Sequence, residues 1–274
     1  MSRFFVVTLF SILFTSLLSG SVLKEKVENL IGTKDYKTHN SLIDLLFKNE
    51  SKYIVNNKIK YYKLFKTLQE NGLLNLRLNK PSDIEIEFTS INKNFKSYKI
   101  LNDTMQVLGY RYFFTKSMSI NDQKNLVWKI MFKAEYMLDP VVLLKELRDN
   151  SCKVTKVINH GLNKWSYEID FKKAELNTAI KIDKNERVKF QKPLRAYMLK
   201  VNDAKSLQVI SRNLNNWFPH IVFFDKDLKV LQVIKKNRVF KGLKVKVPNN
   251  TKYVKITDLY NLINIKRGLS IIVR

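Results

Sequence analysis

The sequence predicts an α+β chain in three parts: a helical N-terminal part, a split-βαβ (ferredoxin-like) middle and a C-terminal antiparallel β-sandwich. Three observations carry this. Apolar residues recur at helical spacing over about 22–80. Over about 81–180, strand-type alternation and helical spacing follow one another in the order β-α-β-β-α-β, with one more strand after it. Over 190–274 only short alternating segments remain, separated by turn residues.

In the helical part, Ser41-x-x-Asp44 has the spacing of a capping box and precedes Leu42, Ile43, Leu45, Leu46 and Phe47. A second helix is expected near Lys58 to Asn71. It has Tyr61, Phe65 and Leu68 on one face and Gly72 as its stop. Both are short and need a surface to pack on.

In the middle, Ile84, Ile86 and Phe88 alternate with Asp83, Glu85 and Glu87, as in a half-buried strand. Asn94 to Leu108 reads as a helix with Leu101, Met105 and Leu108 inward and Gly109 after it. Strands are expected at Tyr110–Thr115 and Leu126–Tyr136. Asp139-Pro140 opens a helix to Asn150: the aspartate caps, and proline fits the first turn because its missing N–H has no partner there. Lys153–His160 and Lys164–Phe171 form a hairpin around Gly161.

In the last part, strands are expected at Arg195–Val201, Ser206–Ser211, His220–Phe224, Val230–Lys235, Leu243–Val247, Tyr253–Thr257 and Leu269–Val273. The polar run Lys181–Lys192 reads as an exposed connection.

The first 21 residues have the composition of a secretory signal. Arg3 is the basic start, Phe4 to Leu18 is uncharged, and Ser19-Gly20-Ser21 supplies small residues for cleavage before Val22. The apolar run is shorter than the ~20 residues of a membrane span. A periplasmic protein is expected, with no transmembrane segment after cleavage; the alternative is that the segment is retained as a signal anchor.

The single cysteine, Cys152, excludes an internal disulfide. Charge is the strongest compositional signal. The net charge is +26, and residues 151–274 hold 27 basic against 9 acidic side chains. From Lys229 onward there are 12 basic residues and one acid, Asp258. Such a field attracts polyanions, the other reading being a solvated lysine-rich surface that aids solubility. Outside the cytoplasm these are an anionic envelope component: a glycan, a lipid headgroup or an acidic protein. Nucleic acid is not expected in that compartment. Lys235, Lys236, Arg238, Lys241, Lys244 and Lys246 crowd into 12 residues without an acid and are the candidate anion-binding residues.

The three histidines, His39, His160 and His220, lie far apart, and none has a partner at metal spacing, so no metal or other cofactor is expected. Walker, GxGxxG, GxSxG and HExxH motifs are absent, and no catalytic residue stands out. A Cys152–His160 pair and Glu85/Glu87 are the nearest approaches to catalytic groups, the acids having no evident partner. Arg212, Asn213, Asn216 and Trp217 form a second candidate site, because an exposed indole among amides and a guanidinium suits a sugar ring. The reading is therefore a non-enzymatic periplasmic binding or assembly protein. The alternatives are a glycan-binding module centred on Trp217, its indole otherwise plugging the core, and an enzyme acting on envelope polymer.

Four stretches carry a resemblance: Leu138-Asp139-Pro140 through Leu147, Asn163 to Tyr167, Trp217 to Asp225, and Asn264 to Ser270. Through them the chain resembles uncharacterised periplasmic proteins of Campylobacter-like bacteria. The resemblance implies the periplasm of a Gram-negative cell, and no activity or site residue.

Overall fold

The computed structural model describes residues 22–91 and 95–274. The expected signal peptide, 1–21, lies outside the described residues. The chain is mixed α+β, with six α-helices and several sheets among the described residues. It divides into two compact units, one holding 22–91 and 99–175, the other 95–98 and 176–274.

The first unit opens with helix α1, residues 22–31, whose Leu23, Val27 and Leu30 are buried at i, i+4 and i+7. Helices α2 (Thr33–Thr38) and α3 (Asn40–Leu46) follow. The capping box expected at Ser41 is not formed. His39 occupies the cap position, Ser41 lies inside α3, and Asp44 instead pairs with Lys24 at 2.8 Å. A two-stranded ribbon, β1 (Ile54–Val55) and β2 (Lys58–Ile59), turns through Asn56 and Asn57, both at positive φ. Asparagine tolerates that conformation, and two such residues make a tight hairpin turn. This shortens the next helix at its start: α4 is Tyr61–Glu70, with Tyr61, Leu64, Phe65 and Leu68 buried and Gly72 at φ 68 ending it.

The sheet of this unit has the order β4-β5-β3-β7-β6. Its strands are β3 (Arg77–Ile91), β4 (Phe114–Ile120), β5 (Leu126–Tyr136), β6 (Lys153–Asn159) and β7 (Lys164–Asp170). All neighbours are antiparallel except β3 and β7, which run parallel. Helix α5 (Phe95–Val107) joins β3 to β4, and α6 (Pro140–Asp149) joins β5 to β6. Asp139 caps α6 as expected: Oδ1 accepts from the Val141 and Val142 amides, with Pro140 in the first turn. Alternation buries Ile84, Ile86, Phe88, Trp128, Ile130, Trp165 and Tyr167, and Phe65 of α4 packs on Trp165 at 5.7 Å. The strand expected at Tyr110–Thr115 begins only at Phe114. Tyr110 and Phe113 are spent on ring contacts with Phe132 and Trp128, so their apolar run reflects packing and not pairing.

The second unit has two sheets. One runs β13-β12-β15-β10-β8, the other β14-β11-β16-β9. The strands are β8 (Ile180–Lys181), β9 (Arg187–Lys189), β10 (Tyr197–Lys200), β11 (Ser206–Ser211), β12 (Pro219–Phe224), β13 (Val230–Lys235), β14 (Gly242–Lys246), β15 (Tyr253–Asp258) and β16 (Leu269–Val273). One apolar cluster takes Leu199, Ile221, Phe223, Val254 and Ile256 from the first sheet and Leu207, Val209, Leu269 and Ile271 from the second. The segment read as an exposed connection, Lys181–Lys192, contains β9, which pairs with β16. Three residues flanked by charge are too few to show alternation.

Candidate functional site

The register of the second unit gathers four loops at one end of its strands. β11 ends at Ser211 opposite Leu269, which starts β16. β12 starts at Pro219 opposite Asp258, which ends β15, and its His220 faces Lys235, which ends β13. Lys189, the last residue of β9, faces Ser270, and Tyr197, the first of β10, faces Ile256. The connections 190–196, 212–218, 236–241 and 259–268 therefore emerge together.

Their charge is of one sign. The 190–196 loop carries Lys192 and Arg195, and the 212–218 loop carries Arg212. The 236–241 loop carries Lys236, Arg238 and Lys241, and the 259–268 loop carries Lys266 and Arg267. All are exposed except the half-buried Arg212. The only acid at this end is Asp258, which is buried. The unit's other acids, Asp183, Glu186, Asp203, Asp225 and Asp227, all stand in the loops at the opposite end of the strands. The opposite-end loops also carry Lys184, Lys205, Lys226, Lys229, Lys252 and Arg274, so charge there is close to balance, whereas within the unit the cations of the basic end face no exposed carboxylate.

Buried polar groups hold the four loops together. Asp258 accepts from the Phe218 amide at 2.8 Å and from the Tyr260 and Asn261 amides and Asn264 Nδ2 at 2.9 Å each. Asn215 is 1% exposed; its Nδ2 donates to the Gly268 carbonyl at 2.8 Å and its Oδ1 accepts from the Arg267 amide at 3.0 Å. Lys241 Nζ donates to the Asn215 carbonyl at 3.2 Å. The Phe240 amide donates to the Trp217 carbonyl, and the Asn216 amide to the Asn264 carbonyl. Gly268 lies against Phe190, and Tyr197 donates to the Gln191 carbonyl. Each loop is thereby fixed to at least one other, so the cations are presented on a rigid platform.

The two sequence-derived sites fare differently. Trp217 is fully buried in the core, and its Nε1 donates to the Thr257 carbonyl at 3.0 Å. It offers no ring to a sugar, which corrects the glycan site, although Asn213 and Asn216 are exposed beside it. Asn215, two residues earlier, is buried as well and ties the same loop to Arg267 and Gly268. Of the six clustered cations, Lys236, Arg238 and Lys241 lie in the basic end and Lys235 at its margin, with the Arg238 guanidinium 5.0 Å over the Phe240 ring. Lys244 and Lys246 leave that group. They point outward from β14, the edge of the other sheet, opposite Gln208 and Ser206. The six are therefore not one surface, because the loop between β13 and β14 passes from one sheet to the other.

Sequence reasoning passed over Asn215, Leu194, Leu214, Tyr260 and Ile263. Asp258 did carry a signal: a lone acid in a long basic run, followed by Asn261 and Asn264, is an anchor for backbone amides.

Catalytic pairings do not assemble. Cys152 and His160 stand at opposite ends of β6, eight residues apart and hence about 26 Å along an extended strand. Cys152 Sγ contacts the Asn150 carbonyl, and His160 Nε2 contacts Ser166 Oγ. Glu85 and Glu87 do have partners: Glu85 is bridged by Lys116 and by Lys164 at 2.9 Å, and Glu87 pairs with Lys129 at 2.9 Å. The two lysines hold the Glu85 carboxyl well below its ordinary range, at about 2. Among the described residues, no group of three or more His, Cys, Asp or Glu is placed to hold a metal ion, and no helix is long and apolar enough to cross a membrane. A groove of about 510 Å³ in the first unit is lined by Lys58, Lys60, Lys63, Arg148, Cys152 and apolar neighbours. No family model, curated protein or solved structure matches the chain.

Proposed function

We propose that this chain is a non-enzymatic binding or assembly protein of the Gram-negative periplasm, and that the basic end of its second unit engages an anionic envelope component. One observation carries this reading: eight cations on four interlocked loops with no exposed acid among them. Solvated lysines scattered for solubility need no such segregation, and here the acids are sorted to the other end of the same strands. The architecture behind the reading is a two-sheet sandwich, supported by the shared apolar cluster, and a split-βαβ layer with β7 inserted between β3 and β6.

The test compares the wild-type chain with one carrying Lys192→Gln, Arg195→Gln, Lys236→Gln, Arg238→Gln, Lys266→Gln and Arg267→Gln. Retention on immobilised dextran sulfate is followed as salt rises. Screening shortens the reach of these charges from ~30 Å at 0.01 M to ~8 Å at physiological ionic strength. The wild type should elute at much higher salt than the variant. Equal elution removes the basic end as the binding surface.

A further inference from the structure

The basic end also carries exposed apolar side chains, with Tyr260 among them set edge-on to Phe218 at 5.0 Å and its hydroxyl donating to Asn237 Oδ1. Leu194 is 93% exposed, Leu214 76%, Ile263 66% and Tyr260 61%; Val239 is 43% exposed. They come from all four loops, one or two from each, and all but Tyr260 sit within three residues of a cation. Scattered single apolar side chains on a surface call for no account, but five in the same four loops that carry the cations do.

Leu214 is held at φ 66, a left-handed backbone that a branched side chain rarely adopts. Leu228 shares that conformation at the other end of the unit, but it is buried and packs. Leu214 gains no such packing; the conformation turns its side chain outward between Asn213 and Asn215. The two asparagines beside it tolerate left-handed backbone better, so a leucine is costly at this position, and it is exposed there.

A soluble acidic polymer has no use for these groups. An anionic bilayer uses both: headgroups meet the cations, and apolar tips pass into the acyl boundary. Long basic side chains suit that depth because their stems lie along apolar surface while their charges reach the headgroups. We infer that the four-loop basic end docks on an anionic lipid bilayer, with Leu194, Leu214, Tyr260 and Ile263 entering the interface. This rests on the anion-binding reading above and names the anion as a lipid surface.

The experiment uses full-length protein and three binding partners: vesicles of equal phosphatidylglycerol and phosphatidylcholine, vesicles of phosphatidylcholine alone, and dextran sulfate. A variant with Leu194→Ser, Leu214→Ser and Ile263→Ser is compared with the six-Gln variant and wild type. Because residues 1–21 are themselves apolar, binding is also read locally. An environment-sensitive fluorophore is attached at Leu214→Cys in a Cys152→Ser background. The inference expects a blue shift of that fluorophore on anionic vesicles and none on dextran sulfate. It also expects the Ser variant to lose vesicle affinity more than tenfold while keeping dextran sulfate binding, and the six-Gln variant to lose both. If the Ser variant binds vesicles like wild type and the fluorophore does not shift, bilayer docking is overturned and the anion-binding reading stands. If the six-Gln variant binds both partners like wild type, both are overturned.

Discussion

The side-chain amide of Asn215 donates to the carbonyl of Gly268, 53 residues away in the chain, at 2.8 Å. With the Arg267 amide returning a hydrogen bond to Asn215 Oδ1, one buried side chain closes the 212–218 loop onto the 259–268 loop. Asn215→Ala strands a donor and an acceptor. A buried group left without its partner costs about 1–3 kcal/mol, so a loss of ~2–6 kcal/mol is expected for the pair. Chemical denaturation measures it directly. A change below 0.5 kcal/mol would mean that the loops are held without Asn215.

Gly268 is required for two independent reasons. Its φ of 83 is one that side chains resist, and an added Cβ would stand 2.0 Å from the Phe190 carbonyl oxygen. The neighbour is backbone and cannot rotate aside. Gly268→Ala should therefore destabilise the second unit by at least ~2 kcal/mol, since the backbone conformation alone costs about 1–2 kcal/mol. Gly161→Ala is the control: its φ is also positive, but nothing lies within 4 Å of the added atom. It should cost less than Gly268→Ala in the same thermal melts.

Much of this was written in the sequence wherever one residue's chemistry sufficed. Ser206–Ser211, Val230–Lys235 and Leu269–Val273 are strands at the bounds that alternation gives, and Asp139-Pro140 starts its helix. The failures share a cause. Tyr110 and Phe113 look like a strand because aromatic packing and strand pairing use the same residues. β9 is invisible because three residues are too few to show alternation and its partner lies more than 80 residues on. Trp217 had two readings in the sequence, a plug for the core or a ligand platform among polar neighbours, and burial bears out the plug, while the polar signal of that loop belongs in part to the equally buried Asn215. The basic end itself is assembled from four separated loops, so no local window contains it.

Trp217→Ala separates those two roles for the indole. The ring fills the core and its Nε1 is bonded to the Thr257 carbonyl, so truncation should cost about 3–5 kcal/mol. Unfolding in urea should show that loss. A surface platform would instead leave stability within about 0.5 kcal/mol and change only binding.

Glu85 sets an acid limit on the first unit. Hydrogen bonds from Lys116 and Lys164 lower its carboxyl from an ordinary 4.5 to about 2 in the folded chain. The unfolded chain therefore takes up the proton first as pH falls. The stabilisation is complete above about 4.5, declines through the interval below it and is exhausted once pH passes about 2. Glu85→Gln should be less stable than wild type at neutral pH, and the difference should shrink across that interval. A constant difference from pH 6 to pH 2.5 would show that the carboxylate's charge is not what the lysines hold.

The division of the clustered lysines makes a prediction about salt. Lys236 and Arg238 stand in the basic end, whereas Lys244 and Lys246 point outward along β14. At strand spacing the latter lie about 10 and about 17 Å beyond Lys241. A charge acts across that distance only when the Debye length exceeds it: ~30 Å at 0.01 M, ~8 Å at 0.15 M. Lys236→Gln with Arg238→Gln should weaken binding to an anionic partner at both salts. Lys244→Gln with Lys246→Gln should weaken it at 0.01 M and leave it within twofold of wild type at 0.15 M. Binding titrations of the two double variants against the same anionic vesicles distinguish the cases. A loss at 0.15 M for Lys244→Gln with Lys246→Gln, with none for Lys236→Gln with Arg238→Gln, would place the contact on the outer face of the second sheet, where Arg187 of β9 shares a cross-strand row with Lys244, Gln208 and Ile272, and would remove the loops from it.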